Sequence, residues 1–176
     1  MNPDSGSPGY AELVRRAHGC LAGVAVGDAM GMPTSLLTPA QIRELFPEGI
    51  TGFQPAPPHH LIHEHMAAGS ITDDTQQTLL LARHLIEYGE VDATRMAWSL
   101  IRWAEEVNGF DSLYLGPSTR RALEQIRDGV PVEKAGWMGD TNGAAMRISP
   151  VGIFFPGEYE EAIKTAAEVC KPTHNT

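Results

Sequence analysis

The sequence predicts an all-α fold. Three observations carry that expectation: apolar residues recur every three or four positions in stretch after stretch, no stretch alternates as a half-buried strand does, and helix-starting and helix-stopping residues punctuate the chain. Its 176 residues suffice for one domain with a real core. A hydrophobic content of 42% and a charged content of 20% are those of a globular protein. Thirteen Lys and Arg against 22 Asp and Glu give a formal charge of -9, so nucleic acid is set aside as a partner: its phosphates would be repelled. The polar opening, residues 1–9, reads as a disordered tail with no apolar signal sequence behind it. No uncharged run is long enough to span a membrane, and Cys20 and Cys170 have no metal-type spacing. Together these features point to a reduced, cytoplasmic setting, and they say nothing of oligomeric state.

Over residues 10–30, Leu13, Val14, Ala17, Cys20, Leu21, Val24 and Ala25 recur at helical spacing and predict one buried helix. Gly19, Gly23, Gly27 and Gly31 lay a bare stripe along it. Glycine inside a helix costs about 1 kcal/mol relative to alanine, so the stripe needs a compensating use, and tight helix packing is the expected one at Gly19 and Gly23. Thr38 followed by Pro39 predicts a short capped helix ending near residue 46. Residues 47–69, rich in proline and carrying His59, His60, His63 and His65, read as a long surface loop; His59 with His63, or His63 with His65, could share a zinc ion only if that loop were ordered.

Leu79, Leu80, Leu81, Leu85 and Ile86 then form the apolar stripe of a helix that stops at Gly89. Residues 93–107 predict another, with Met96, Trp98, Leu100, Ile101 and Trp103 in the core. Asn108-Gly109 marks a turn, and Gly116-Pro117-Ser118-Thr119 opens a helix that runs to Gly129. A compact turn at residues 139–143 leads into 144–148, and a last helix over 159–169 turns Ala162, Ile163, Ala166 and Ala167 inward.

The run Thr72-Asp73-Asp74-Thr75 admits two readings. A threonine followed by acidic residues is a common helix start, because such side chains satisfy orphan N–H groups and complement the helix dipole. Adjacent carboxylates with a hydroxyl are equally one side of a site for a hard divalent cation. Four glycine-punctuated junctions, at residues 27–31, 72–75, 116–119 and 140–143, fall at helix ends and suggest one crevice. At Gly116 a helix N-terminus with Ser118 and Thr119 beside it suits a diphosphate, or is simply a proline-started helix.

The ordered set Gly19-x-x-x-Gly23-x-x-x-Gly27-Asp28-Ala29-x-Gly31, Thr72-Asp73-Asp74-Thr75, Thr141-Asn142-Gly143-Ala144-Ala145-Met146-Arg147-x-x-Pro150 and Thr173-His174 resembles the ADP-ribosylglycohydrolase family over essentially the whole chain. The resemblance implies an orthogonal multi-helix bundle, two divalent metal ions, Mg²⁺ or Mn²⁺, and cleavage of the bond joining ADP-ribose to an acceptor. It implies Thr72, Asp73 and Asp74 as metal ligands, with Asp73 and Asp74 catalytic and Asp73 bridging. It further implies Asp28, Gly116, Ser118, Thr119, Asn142, Gly143 and His174 as substrate-binding residues. The chain departs from the family in two places. The Asp-x-Asp-Thr motif that supplies the opposite ligands is not in it, so the expectation is a truncated form holding one metal half-site within residues 10–176. Ser35 stands where many relatives carry glutamate, leaving a metal-bound water, Glu44 or Glu64 to substitute as the base. A catalytically impaired, ADP-ribose-binding or structural member of the same fold is the alternative.

Overall fold

The structure, a computed structural model, describes residues 8–176; most of the expected tail, residues 1–7, lies outside the described residues. All regular structure among the described residues is helical. Helix α1 (Pro8–Gly31) opens two residues earlier than the periodicity suggests and runs into a 3₁₀ turn at Met32–Thr34. Helix α2 (Pro39–Leu45) begins as the Thr38-Pro39 pair predicts. Thr38 accepts the Gln41 N–H and Gln41 reaches back to the Thr38 N–H, a reciprocal capping box.

Helices α3 (Asp73–Tyr88) and α4 (Ala93–Glu106) form an antiparallel hairpin. Gly89 closes α3 at φ 73°, a left-handed conformation that its missing Cβ makes cheap. Asp92 opens α4 by accepting the Arg95 N–H at 2.8 Å. Helix α5 (Pro117–Arg127) is followed by the one-turn α6 (Val132–Ala135), the short α7 (Ser149–Phe154) and α8 (Tyr159–Cys170). The sequence reading missed α6 and α7, because four and six residues are too few to show a helical period.

Helix α4 is the core element. Met96, Ala97, Leu100, Ile101 and Ala104 are buried on it and meet Leu81 and Leu85 of α3, Leu123 and Ile126 of α5, Val132 of α6 and Val169 of α8. Trp103 is core as expected, whereas Trp98 faces away from α4's packed side and is 47% exposed. On α8 the inward stripe is Ala162, Ala166 and Val169; Ile163 and Ala167, expected inside, are exposed, Ile163 at 69%, because each sits one position off that i, i+4, i+7 row.

The buried-helix expectation fails for α1. Ala29 is its one buried residue, and a Cβ added at Gly19, Gly23, Gly27 or Gly31 would meet nothing within 4 Å. Helix α1 does meet α3 and α7, but its glycine stripe is not packed against any described element. No single described helix is long and apolar enough to cross a membrane.

Candidate active site

The acidic run sits where α3 begins. Thr72 occupies the N-cap position, yet its side chain makes no cap; that role falls to Asp28, delivered by the last turn of α1. The Asp28 carboxylate accepts the N–H groups of Thr72 (2.8 Å) and Thr75 (3.2 Å) and the hydroxyls of both (2.6 Å each). Four donors on one carboxylate tie α1 to α3 across 44 residues of sequence.

Asp73 and Asp74 are thereby released from capping. No Lys or Arg lies within ion-pair distance of either among the described residues. Burial, then the neighbouring Asp74 charge, pushes the Asp73 carboxyl up to about 7. Burial and the Asp28 charge likewise raise Asp74. The Thr72 hydroxyl approaches Asp28 at 2.6 Å and Asp74 at 3.3 Å; its single hydrogen serves the shorter contact. Thr72, Asp73 and Asp74 therefore present hard oxygen donors with no counter-charge, which fits one side of a divalent cation. They do not make a complete shell: the described residues hold no group of three or more His, Cys, Asp and Glu arranged around a common ion.

A cleft of about 410 Å³ joins this wall to two others. Gly116, Pro117 and Thr119 come from the start of α5, whose N-terminus has no side-chain cap, so its first N–H groups remain open. Thr141, Asn142, Gly143 and Met146 come from the turn before α7, and Ser35, Ile62 and His63 complete the lining. Three of the four glycine junctions thus share one cleft. The fourth, Gly27 to Gly31 with Asp28, lines an adjoining groove that meets the cleft at Ser35, Thr72, Asp74 and Met146.

Two expected substrate contacts stand behind the walls. Ser118 is buried and donates to Asp140 at 3.3 Å, and His174 braces the Asn142 turn from outside the cleft. The His174 contacts belong to a chain of hydrogen bonds that starts at Arg147, which is fully buried. Arg147 donates through Nη1 to Gln77 Oε1 (2.9 Å) and the Gly143 carbonyl (3.1 Å). Through Nη2 it donates to the Val169 carbonyl (3.1 Å) and Thr173 Oγ1 (2.7 Å). Thr173, holding that donor, gives its own hydrogen to His174 Nδ1 at 2.8 Å, and His174 Nε2–H donates to Thr141 Oγ1 at 2.9 Å. Burial, aided by the Arg147 charge, holds the His174 ring below the usual histidine range. Burial brings Arg147 itself down to about 10, which leaves it charged at neutral pH.

Close backbone approach lets this chain of bonds form. A Cβ at Gly139 would lie 2.2 Å from the Thr173 carbonyl, and one at Gly136 2.4 Å from that of Lys171. The Arg147 role escaped the sequence reading, although the residue sits inside the Thr141 to Pro150 signature. Glu44 and Glu64 do not line the cleft; Glu64 instead accepts the His59 N–H at 3.0 Å.

The four histidines do not converge. His59 and His65 are exposed at positive φ, while His60 and His63 are each 5% exposed and stack with ring centroids 5.1 Å apart. The surface-loop expectation is thus corrected at these two positions: their rings turn in and stack on each other, and His63 meets Tyr114 edge-on.

Among the described residues this is an all-helical protein in which one cleft joins an uncompensated carboxylate wall to an open helix N-terminus. The chain belongs to the ADP-ribosylglycohydrolase family, whose family model matches residues 10–176. It is 37% identical over 163 residues to the uncharacterized protein YegU of Escherichia coli strain K12, covering 92% of this chain and 48% of that protein. It is 36% identical over 156 residues to the ADP-ribosylarginine hydrolase Tri1 of Pseudomonas putida strain GB-1, covering 81% and 37%. A solved structure described as an ADP-ribosylglycohydrolase-related protein complex superposes with a TM-score of 0.71 at 30% identity, covering 93% of this chain and 50% of that one. The chain spans about half the length of the curated relatives it matches.

Proposed function

We propose that this chain carries one metal-facing wall and the nucleotide-facing walls of a hydrolase that releases ADP-ribose from an acceptor. The observation that carries this reading is the single cleft joining Thr72 and the carboxylates of Asp73 and Asp74, which have no Lys or Arg partner among the described residues, to the uncapped start of α5. Its volume suits a nucleotide-sized ligand. The open N–H groups at the start of α5 receive the diphosphate, with Thr119 alongside, and Asn142 and Gly143 line the adjoining ribose. Asp73 and Asp74 face the sugar whose anomeric carbon gains positive character as the glycosidic bond breaks, and negative charge there stabilises that transition state. Two divalent cations, Mg²⁺ or Mn²⁺, held on this side by Thr72, Asp73 and Asp74, would supply Lewis acidity. Asp28 and Arg147 act behind the walls, one fixing the start of α3 and the other the Gly143 turn.

An ADP-ribosylated arginine is the favoured substrate, supported by the relative named an ADP-ribosylarginine hydrolase. The two free cysteines go with a reducing, cytoplasmic setting. The test is release of ADP-ribose from an ADP-ribosylated arginine protein with Mg²⁺ or Mn²⁺, compared with the Asp73→Ala, Asp74→Ala double variant. Metal-dependent release lost in the variant supports the reading, and unchanged release in the variant overturns it. A second reading, binding without hydrolysis, is favoured by the incomplete metal shell and by Ser35 in the cleft lining. Calorimetric binding of ADP-ribose with no release under any metal condition would select it.

A further inference from the structure

The loop between α2 and α3 contributes to the cleft a histidine for which the site as described has no use. His63 is 5% exposed and lines the cleft beside Asp73 and Asp74. Its Nδ1 is buried with no hydrogen-bond partner. Its Nε2 makes no protein hydrogen bond either and, unlike Nδ1, is not sealed from solvent, while the residue as a whole lines the cleft. The ring is held still on two sides. It stacks on His60 at 5.1 Å with a 23° interplanar angle, and meets Tyr114 edge-on at 6.2 Å and 79°.

His60 is itself locked. Its Nδ1 accepts the backbone N–H of His63 at 3.0 Å and of Ile62 at 3.3 Å, which fixes both the ring and the turn that carries His63. In a ring that is more than nine-tenths buried and clamped, the accessible nitrogen has no protein partner and is left available to a ligand in the cleft.

The chemistry of the ring narrows what that is. Burial first, and then His60, holds His63 below the usual histidine range, against an opposing pull from Asp28. An imidazole nitrogen beside two carboxylates suits a sugar hydroxyl, which can donate to it or accept from it. It also shares the cleft lining with Asp73 and Asp74, the carboxylates assigned to the sugar.

We infer that His63 Nε2 hydrogen-bonds a hydroxyl of the ribose that sits over Asp73 and Asp74, and so selects ADP-ribose over nucleotides that end at the diphosphate. This rests on the ADP-ribose reading of the cleft. The buried pair thereby divides recognition between its members, with His63 contacting the sugar and His60 positioning that contact.

The experiment is calorimetric titration with ADP-ribose and, separately, with ADP, which lacks the second ribose. Wild type is compared with His63→Phe, which keeps the ring stack without the nitrogens, and with His63→Gln, which restores an amide able to donate and accept. The expected result is wild-type preference for ADP-ribose, a loss of about tenfold in ADP-ribose affinity in His63→Phe with ADP affinity unchanged, and partial recovery in His63→Gln. Equal discrimination by wild type and His63→Phe overturns the inference while leaving the ADP-ribose reading intact. Loss of ADP and ADP-ribose binding together in both variants assigns the ring a structural role and also overturns it. A wild type that binds neither ligand overturns the reading beneath it and the inference with it. Manganese titrated alone completes the set: weaker metal binding in His63→Phe would make the ring a metal ligand and reject the sugar contact.

Discussion

Replacing Asp73 by asparagine should stabilise the metal-free protein, and only above the acid range. Asp73 is unpaired, largely buried and beside Asp74, and its carboxyl stands at about 7 instead of 3.8. A raised carboxyl means that the folded chain holds a proton the unfolded chain has already lost. Between about pH 4 and pH 7 the wild type therefore loses stability as pH rises, and above pH 7 the full cost is present. At about 1.4 kcal/mol per pH unit the upper bound is about 4 kcal/mol; solvent access to the side chain cuts this to roughly 2 kcal/mol. Asparagine keeps the shape without the charge. Urea unfolding followed by helical circular dichroism, in chelator, should show Asp73→Asn more stable by roughly 2 kcal/mol at about pH 8, or about 1 M urea in midpoint, and by less at about pH 5. Added Mn²⁺ should then stabilise the wild type more than the variant, because binding to the folded state shifts its equilibrium. A variant no more stable than wild type at the higher pH, or equally advantaged at both, would refute the argument from an uncompensated buried charge.

Two further outcomes test the scaffold. Arg147→Met removes a fully buried cation and strands the acceptors on Gln77, Gly143, Val169 and Thr173, so a loss of about 3–5 kcal/mol is expected in denaturant unfolding. In the folded fraction the His174 titration, read by NMR, should move upward once the Arg147 charge is gone. The glycines should divide sharply. Gly139→Ala drives a Cβ against the Thr173 carbonyl and should cost about 2–3 kcal/mol in thermal unfolding. Gly23→Ala meets open space inside a helix and should add about 1 kcal/mol; a destabilised Gly23→Ala would show that the stripe is packed in solution.

Much of the helical outline was legible in the residues because its signals are local. Thr38-Pro39 and Gly89 act within about four residues of themselves, and the structure places α2 and the end of α3 where those signals put them. Burial was less legible. Trp98 and Ile163 satisfy helical periodicity and still face outward, since period alone does not say which side of a helix meets a neighbour. The glycine stripe of α1 looked like a packing surface and meets no described element. His63 lay hidden among four histidines whose spacing suggested a metal, because the turn that buries two of them and exposes the other two is set by backbone geometry.

Sequence by itself determined the helical class, the family and the run of carboxylates around which the cleft is built, since each is written in residue type and short-range order. Tertiary structure alone decided how those residues divide their work. Asp28, 44 residues before Thr72, takes over the cap of α3 and so frees Asp73 and Asp74 to stand uncompensated in the cleft. Arg147 binds Thr173 and thereby turns His174 toward Thr141 instead of into the cleft. The physical reason is the same in both cases: a buried polar group must find partners, and which partners are within about 3 Å is a property of the folded chain, not of its order.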